Sequence, residues 1–311
     1  MPEARQLHVD ANLTNLSIKY RNEAMIWPEV MPVVKVQKRS DKFTIYNKAD
    51  SFTIANDAIG PKSLPNEMDW GISTGNYSVK DHALSDWVPQ EEIDNADNPI
   101  QPEIDSVDFL NMLMDLAQEK RVADIFNTSS NFPTNTTLSG ASQWSYATPP
   151  TTAVQDVLTA VESCFIRANT LVFGAEAWLA FRRLPCVLDA VKGTIGSAPR
   201  GGLASTSEVA SLLEVDRVIV GRGRYNTAKE GQTVSYSRLW GKHCWALYTD
   251  PNPGVRSISF GATFVETQRN VQRDFDIKRG IKGAHFLKAA WNSDEKIIAS
   301  DVAYMIQSAV A

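Results

Sequence analysis

Cysteine and histidine are scarce in this chain of 311 residues, with three and four copies respectively. The cysteines, Cys164, Cys186 and Cys244, are odd in number and far apart, which excludes a disulfide framework and suits a reducing compartment. The histidines, His8, His82, His243 and His285, show neither HExxH spacing nor a second ligand at zinc-finger distance. No run approaches the roughly 18–20 apolar residues that span a bilayer. Positive charge is not in excess either: 31 Lys and Arg against 36 Asp and Glu leave a net charge of −5. A dedicated nucleic-acid binder would carry a basic stripe to replace phosphate counterions, so the balance argues against that class. The opening MPEARQLHVD lacks the basic-then-apolar order of a secretory signal, and the expectation is a soluble cytoplasmic protein. What is present suits a globular fold: 43% hydrophobic and 22% charged residues, enough for a sizeable core.

Punctuation and periodicity divide the chain. Residues 1–34 read as an extended arm, because Trp27-Pro28 and Met31-Pro32 bar a continuous helix. Its apolar Ile26, Trp27, Val30 and Met31 need a surface, either a partner's or the chain's own core. Within residues 35–98, segments 43–46 and 51–54 read as strands with a turn between them. A loop rich in Gly, Pro and Ser over 59–75 follows, and strand character resumes over 76–88. Such a thin ribbon is marginal alone and needs something to lie on. The acidic stretch 91–108, without Lys or Arg, leads into a helix expected over about 104–126. Val107, Leu110, Met114 and Ala117 fall on its buried face, widened by Phe109, Leu113 and Leu116.

Residues 127–150 read as a polar loop. From 151 to 250 helices and strands alternate. Capping boxes at Thr152/Gln155 and Ser205/Glu208 open two helices. A third, over 175–184, is stopped by Pro185. Segments 170–173, 217–220 and 243–248 read as strands. The remainder is β-rich, with Phe260, Phe264, Ile277, Ile281, Phe286, Leu287, Ile297 and Ile298 expected on one face of a long twisted sheet.

No grouping of residues reads as an active site, and no catalytic, cofactor-binding or metal-binding residue is expected. There is no GxSxG elbow. The glycine-rich 193–202 (GTIGSAPRGG) lacks the Lys-Ser/Thr of a phosphate-cradling loop and reads as a surface loop. Gly221-Arg222-Gly223-Arg224 follows a strand, but no helix opens after it, which argues against a dinucleotide site. His243-Cys244 reads as a strand pair with one side buried, since no base or further ligand stands near in sequence.

The order of blocks in the last hundred residues carries a family resemblance. VDRVIVGRGRYNTA occupies 215–228, Leu239-Trp240-Gly241-Lys242 follows, and a strand ends in Asp250-Pro251-Asn252-Pro253. SISFGATFVE begins at Ser257, and NSDEKIIASDVAYMIQSAV comes last. Preceded by an arm, a β loop and a long acid-capped helix, this resembles the tailed-phage major capsid proteins of the Hong Kong 97 type. The resemblance implies an α+β fold with an N-terminal arm (1–34), an extended β loop (35–98), a peripheral domain with a long spine helix (99–150 and 251–311) and an axial domain (151–250). It implies a head subunit that self-assembles, as pentamers and hexamers, into an icosahedral shell enclosing phage double-stranded DNA without sequence-specific binding.

The implied partners are further copies, a separate scaffolding protein and a portal, with no membrane. The implied location is the virion capsid, and the host bacterial cytoplasm during assembly. Because the chain starts almost directly with the arm, the expectation is that assembly needs a separate scaffold protein or none. Candidate inter-subunit contacts are Ile26, Trp27, Met31, Lys62, Trp70 and Arg200. Some members join subunits through a covalent Lys–Asn link; Lys62, Asn252 and Asn292 lie in the corresponding regions without aligning to that motif, and no link is predicted from them. Rival readings are an encapsulin-like compartment of the same fold, an α/β enzyme built on 151–250, and a tail protein, which would show fibrous repeats.

Overall fold

The computed structural model describes Asn22 and residues 25–96, 100–148, 150–195, 202–251, 254 and 257–311. The chain runs through helix α1 (Trp27–Val30), strands β1 (Val33–Lys35) and β2 (Ser40–Tyr46), helix α2 (Lys48–Phe52), strands β3 (Ile72–Ser78) and β4 (Lys80–Pro89), and helix α3 (Gln90–Asp94). Next come the 26-residue helix α4 (Pro102–Asn127), strand β5 (Thr134–Thr137), helix α5 (Ala153–Glu162), strand β6 (Thr170–Gly174), and helices α6 (Ala175–Phe181), α7 (Pro185–Ile195) and α8 (Thr206–Leu213). Strands β7 (Arg217–Gly221), β8 (Arg224–Asn226), β9 (Tyr236–Arg238), β10 (Cys244–Leu247), β11 (Gly261–Val265), β12 (Asn270–Asp276), β13 (Ala284–Ile297) and β14 (Ala303–Gln307) follow.

The first sheet is organised by β13. Antiparallel β4 covers one edge, from Ala284↔Pro89 to Ser293↔Lys80. On the other edge β12 pairs with its first half and β11 with its second, and β1 adds in parallel to β11. Helix α4 packs on this sheet. Pro102 in the first turn, with Glu103 and Asp105, suits a helix start, where N–H groups lack partners and the dipole favours negative charge. Its buried positions, Ser106, Leu110, Met114, Gln118, Val122 and Phe126, are four apart, with Glu119 and Ala123 beside them.

That face differs from the expected stripe. Leu110 and Met114 are on it, but Ala117 and Phe109 are exposed. The reason is a polar seam with β13. Gln118 Nε2 donates to Glu295 Oε1 at 2.7 Å, and Ser293 Oγ donates to the same oxygen at 2.8 Å. Arg121 pairs with Gln118 and lies 3.4 Å from Glu295. Buried polar atoms with partners are tolerated, so the helix turns Gln118 inward.

The second sheet has the order β5-β14-β10-β6-β7. Every position of β6 and β10 is buried, because the sheet is covered on both faces. Side chains alternate between two cores, as the two-residue period of a strand requires. Val172, Trp245, Leu247 and Met305 join the core shared with α4, where Phe126 meets Phe132, Trp240, Trp245 and Phe260 with centroids 5.2–5.9 Å apart. Leu171, Phe173, Cys244, Ala246 and Ile306 join the core under α5 to α8.

Several expectations are corrected. Strand β14 leaves the long sheet and sits inside the second one, so the expected return over 251–311 is divided between the two sheets. Segment 51–54 is no strand: Lys48–Phe52 is helical, capped by Asn47, whose side chain accepts from Ala49 N–H at 3.1 Å. The partner of β2 is β3 instead. Pro185 opens α7 rather than only stopping a helix; its missing N–H costs nothing in the first turn. The Thr152/Gln155 box does not form, whereas Ser205 and Glu208 make a full reciprocal one. The polar stretch 127–150 holds β5 and the buried Trp144. Ile277 and Ile281 lie exposed in the turn between β12 and β13, not on a sheet face.

The glycines after β7 also have a packing reason. A Cβ on Gly221 would stand 2.3 Å from the Trp240 ring, and one on Gly223 would stand 2.9 Å from Leu239 Cδ1. Gly221→Ala is therefore expected to lower subunit stability by about 1–3 kcal/mol through overpacking, read from urea unfolding.

Candidate assembly surfaces

Glu119, fully buried on α4, fixes the end of the arm. The Ile26 N–H is shared between its two carboxylate oxygens at 3.2 and 3.1 Å, and the Trp27 N–H donates to Oε2 at 2.8 Å. Trp240 Nε1–H donates to Oε1 at 2.5 Å from the far side. Burial pushes the Glu119 carboxyl above its ordinary range, while these hydrogen bonds pull it down. The anchored α1 turns Trp27 edge-on to Trp291 at 5.7 Å and seals Val30 and Met31 in the core.

This corrects the reading of Ile26, Trp27 and Met31 as inter-subunit contacts: all three are buried in the chain's own core. The cause is local. The N–H groups of Ile26 and Trp27 find an acceptor on α4, and the short helix then directs the apolar side chains inward. Trp27→Ala is expected to cost the unassembled subunit about 3–5 kcal/mol by cavity formation, visible as a lower melting temperature.

The ribbon of β2 and β3 is built the opposite way. Its root is anchored. Phe43 lies across Gly75, where a Cβ would come 2.3 Å from the ring, and stacks on Phe264 at 5.6 Å. Tyr77 stacks on Phe264 at 4.8 Å, and Ser78 N–H donates to Asp294 at 2.8 Å. Its tip is also clasped within itself. Asn47 N–H donates to Gly71 O at 3.1 Å, Asp50 accepts from Gly71 N–H at 2.7 Å, and Tyr46 stacks on Trp70 at 5.5 Å.

Beyond that clasp, residues 53–71 leave apolar side chains in solvent: Ile54 is 97% exposed, Leu64 88% and Trp70 63%, with Ile59 and Met68 also exposed. Lys62 is exposed in the same loop. Tyr46, Met68 and Trp70 line a shallow groove of about 260 Å³. Exposed apolar groups of this kind are unusual on a monomeric protein surface. The structure thus gathers Lys62 and Trp70 at one tip, while Arg200 lies outside the described residues.

Two smaller apolar tips complete the picture. Ile281 (92% exposed) and Ile277 cap the turn between β12 and β13, held by Arg279 over the Trp87 ring at 3.8 Å and by a Lys282–Asp94 pair at 2.7 Å. Tyr236 and Val234 stand out on the hairpin of β8 and β9. The fold, rather than composition, sets these positions, so sequence reasoning missed them; the weak apolar content of a long ribbon was the signal available.

Reactive chemistry has no comparable setting. His243 Nδ1 accepts from Ser308 N–H at 2.9 Å, and burial lowers its pKa. Burial pushes the Cys164 thiol up to about 12 and Cys244 well above the ordinary value, which disfavours thiolate at neutral pH. Among the described residues no group of His, Cys, Asp and Glu is placed to hold a metal ion, and no helix is long and apolar enough to cross a membrane. Asn292 is buried and committed: Oδ1 accepts from Glu266 N–H at 3.1 Å and Thr267 N–H at 2.7 Å, and Nδ2 donates to Glu266 Oε2 at 2.5 Å.

The most exposed apolar residues, Ile54, Leu64 and Ile281, all stand on these loops. No family model matches the chain. The major capsid protein of Pseudomonas phage JBD67 is 32% identical over 306 residues, covering 97% of each chain. Among solved structures, a phage-related protein from Bordetella bronchiseptica superposes with a TM-score of 0.68 at 22% identity, covering 93% of each chain. A capsid chain of cyanophage P-SCSP1u superposes with a TM-score of 0.66 at 10% identity, covering 97% of this chain and 93% of that one. The chain belongs to the phage major capsid protein family, and its α+β fold is of the Hong Kong 97 type. It is a structural protein of a virion shell, and the comparisons support this reading over that of a cargo compartment.

Proposed function

We propose that this chain is the head subunit whose pentamers and hexamers close into an icosahedral shell around phage double-stranded DNA. The ribbon is the observation that carries the reading. Its root is packed into the body, yet its tip presents apolar side chains with no cover, which fits an element that lies over an adjacent subunit. Each such contact is weak, but a closed symmetric lattice repeats it many times.

In this reading residues 35–98 form the extended β loop, 151–250 the axial domain around the symmetry axes, and 99–150 with 251–311 the peripheral domain. Strand β14 then ties the peripheral return into the axial sheet. The arm assigned to residues 1–34 lies largely outside the described residues, and its described end is locked to the chain's own spine helix by Glu119. The net charge of −5 agrees with DNA held by confinement rather than by a basic binding face. A separate scaffolding protein and a portal complete the assembly, which takes place in the host bacterial cytoplasm.

Negative-stain electron microscopy of purified protein, alone and with its scaffold partner, tests the proposal. Closed shells tens of nanometres across are expected. Monomers or small oligomers under both conditions would overturn it.

A further inference from the structure

The ribbon tip has a second face, turned toward the chain's own body. Lys48, the first residue of α2, places its Nζ 2.5 Å from Asp301 Oδ2 and 3.3 Å from the centroid of the Phe165 ring. Phe52, the last residue of α2, meets that same ring edge-on at 4.8 Å. The receiving seat is preformed. Phe165 N–H donates to the Asp301 carbonyl at 3.0 Å, tying the segment after α5 to the turn before β14. The inserted element is equally fixed, since Asn47 caps α2 and Asp50 holds Gly71.

The ribbon is therefore held at both ends. The stacked Phe43, Tyr77 and Phe264 hold its root in the body, and this holds whichever subunit the tip touches. The contact at the tip is of another kind. Lys48, Asp301, Phe52 and Phe165 all remain substantially exposed, so water and salt reach the ion pair and weaken it. Such a contact positions an element without committing it.

We propose that Phe165 and Asp301 form an intramolecular latch that holds the ribbon of the free subunit on its own body, and that α2 leaves this seat when the ribbon passes to a neighbour. The inference rests on the reading of the ribbon as an inter-subunit element. The latch has a physical use. A subunit with Ile54, Leu64 and Trp70 on a freely swinging arm would stick to other copies in many registers. Holding the ribbon at one angle makes productive encounters slower and more uniform. The cost of release then becomes part of the barrier to assembly.

Lys48→Gln and Asp301→Asn, singly, and the exchanged pair Lys48→Asp with Asp301→Lys test the proposal. Hydrogen exchange of residues 46–54 in unassembled subunits reads the latch, and light scattering of subunits mixed with scaffold reads assembly. Each single variant is expected to exchange faster and to assemble faster, about three- to tenfold for Lys48→Gln, which loses the ion pair and the cation–π contact, and about two- to fivefold for Asp301→Asn, which loses the ion pair alone. The exchanged pair regains the ion pair but not the Lys48 cation over Phe165, so it is expected to bring both rates part of the way back to wild type. Unchanged exchange in the single variants would overturn the latch. Faster exchange with slower assembly would also overturn it, since the contact would then belong to the assembled form. Faster exchange with normal shell formation would overturn the gating alone. Faster exchange with no shells from wild type or any variant would overturn the gating together with the ribbon's role between subunits.

Discussion

Glu119→Ala is expected to destabilise the subunit by about 3–5 kcal/mol, the largest loss foreseen for a single polar residue in this chain. The substitution strands the N–H groups of Ile26 and Trp27 and the Trp240 indole N–H without their acceptor. A buried donor left without a partner costs about 1–3 kcal/mol, and partial relaxation keeps the total below the simple sum. Three elements loosen together, because one carboxylate joins the arm, the spine helix and the segment before β10. Urea unfolding measures the loss, and limited proteolysis near residue 25 should show the arm released first. Glu119→Gln keeps one acceptor oxygen and is expected to lose less.

Both variants also differ from the wild type in pH dependence. Burial raises the folded-state pKa of Glu119 above its ordinary value of 4.5, so the folded state holds the proton more tightly than the unfolded state. The stability linked to this group is fully present below about pH 4.5 and falls as pH rises through the folded pKa. Glu119→Gln should remove that slope. An unchanged pH profile in the variant would show that the hydrogen bonds cancel the effect of burial.

Deleting residues 59–68 behind a short flexible linker is expected to abolish shell formation while leaving the subunit folded. The segment contributes no strand, and shortening a surface loop alters stability by only about 1 kcal/mol. The deletion has to stop before Ile72, because β3 carries Gly75 under Phe43 and Tyr77 against Phe264. Thermal melting with electron microscopy of the same sample decides the matter. A melting temperature near wild type with no shells is the expected pair of results. Loss of the folding transition would assign the loop to the core, and normal shells would remove it from assembly altogether.

Much of the architecture was legible because its causes are local. The Ser205/Glu208 box, the strand at Arg217–Gly221 and the long helix follow from periodicity and capping, which act within a few residues. The corrections arise where distant residues decide. Gln118 faces inward because Glu295 and Ser293 meet it, and helical periodicity of apolar residues cannot register an acceptor so far along the chain. A hint was present, since the four-residue spacing from Ser106 through Leu110 and Met114 continues to Gln118.

The assembly surfaces divide in the same way. Trp27 and Trp70 are each apolar residues near turn-forming neighbours, and nothing local distinguishes them. Trp27 is buried because Glu119 anchors its backbone; Trp70 stays exposed because the clasp at Asn47 and Gly71 holds it against Tyr46 within the ribbon and not in the core. Turn chemistry misled at Pro185, which begins α7 after α6 has already ended at Phe181.

The interior place of β14 bears on how the chain is made. Strands β5 and β10 are joined through residues 303–307, and β1 pairs at Val33–Lys35 with residues 263–265. Neither sheet can close on a ribosome while those late residues are still unmade. The earlier strands wait with open edges, and pairings across such sequence distances form slowly. The nascent polypeptide therefore passes through an interval in which unpaired strand edges are open to other chains, the condition under which misassembly competes with folding.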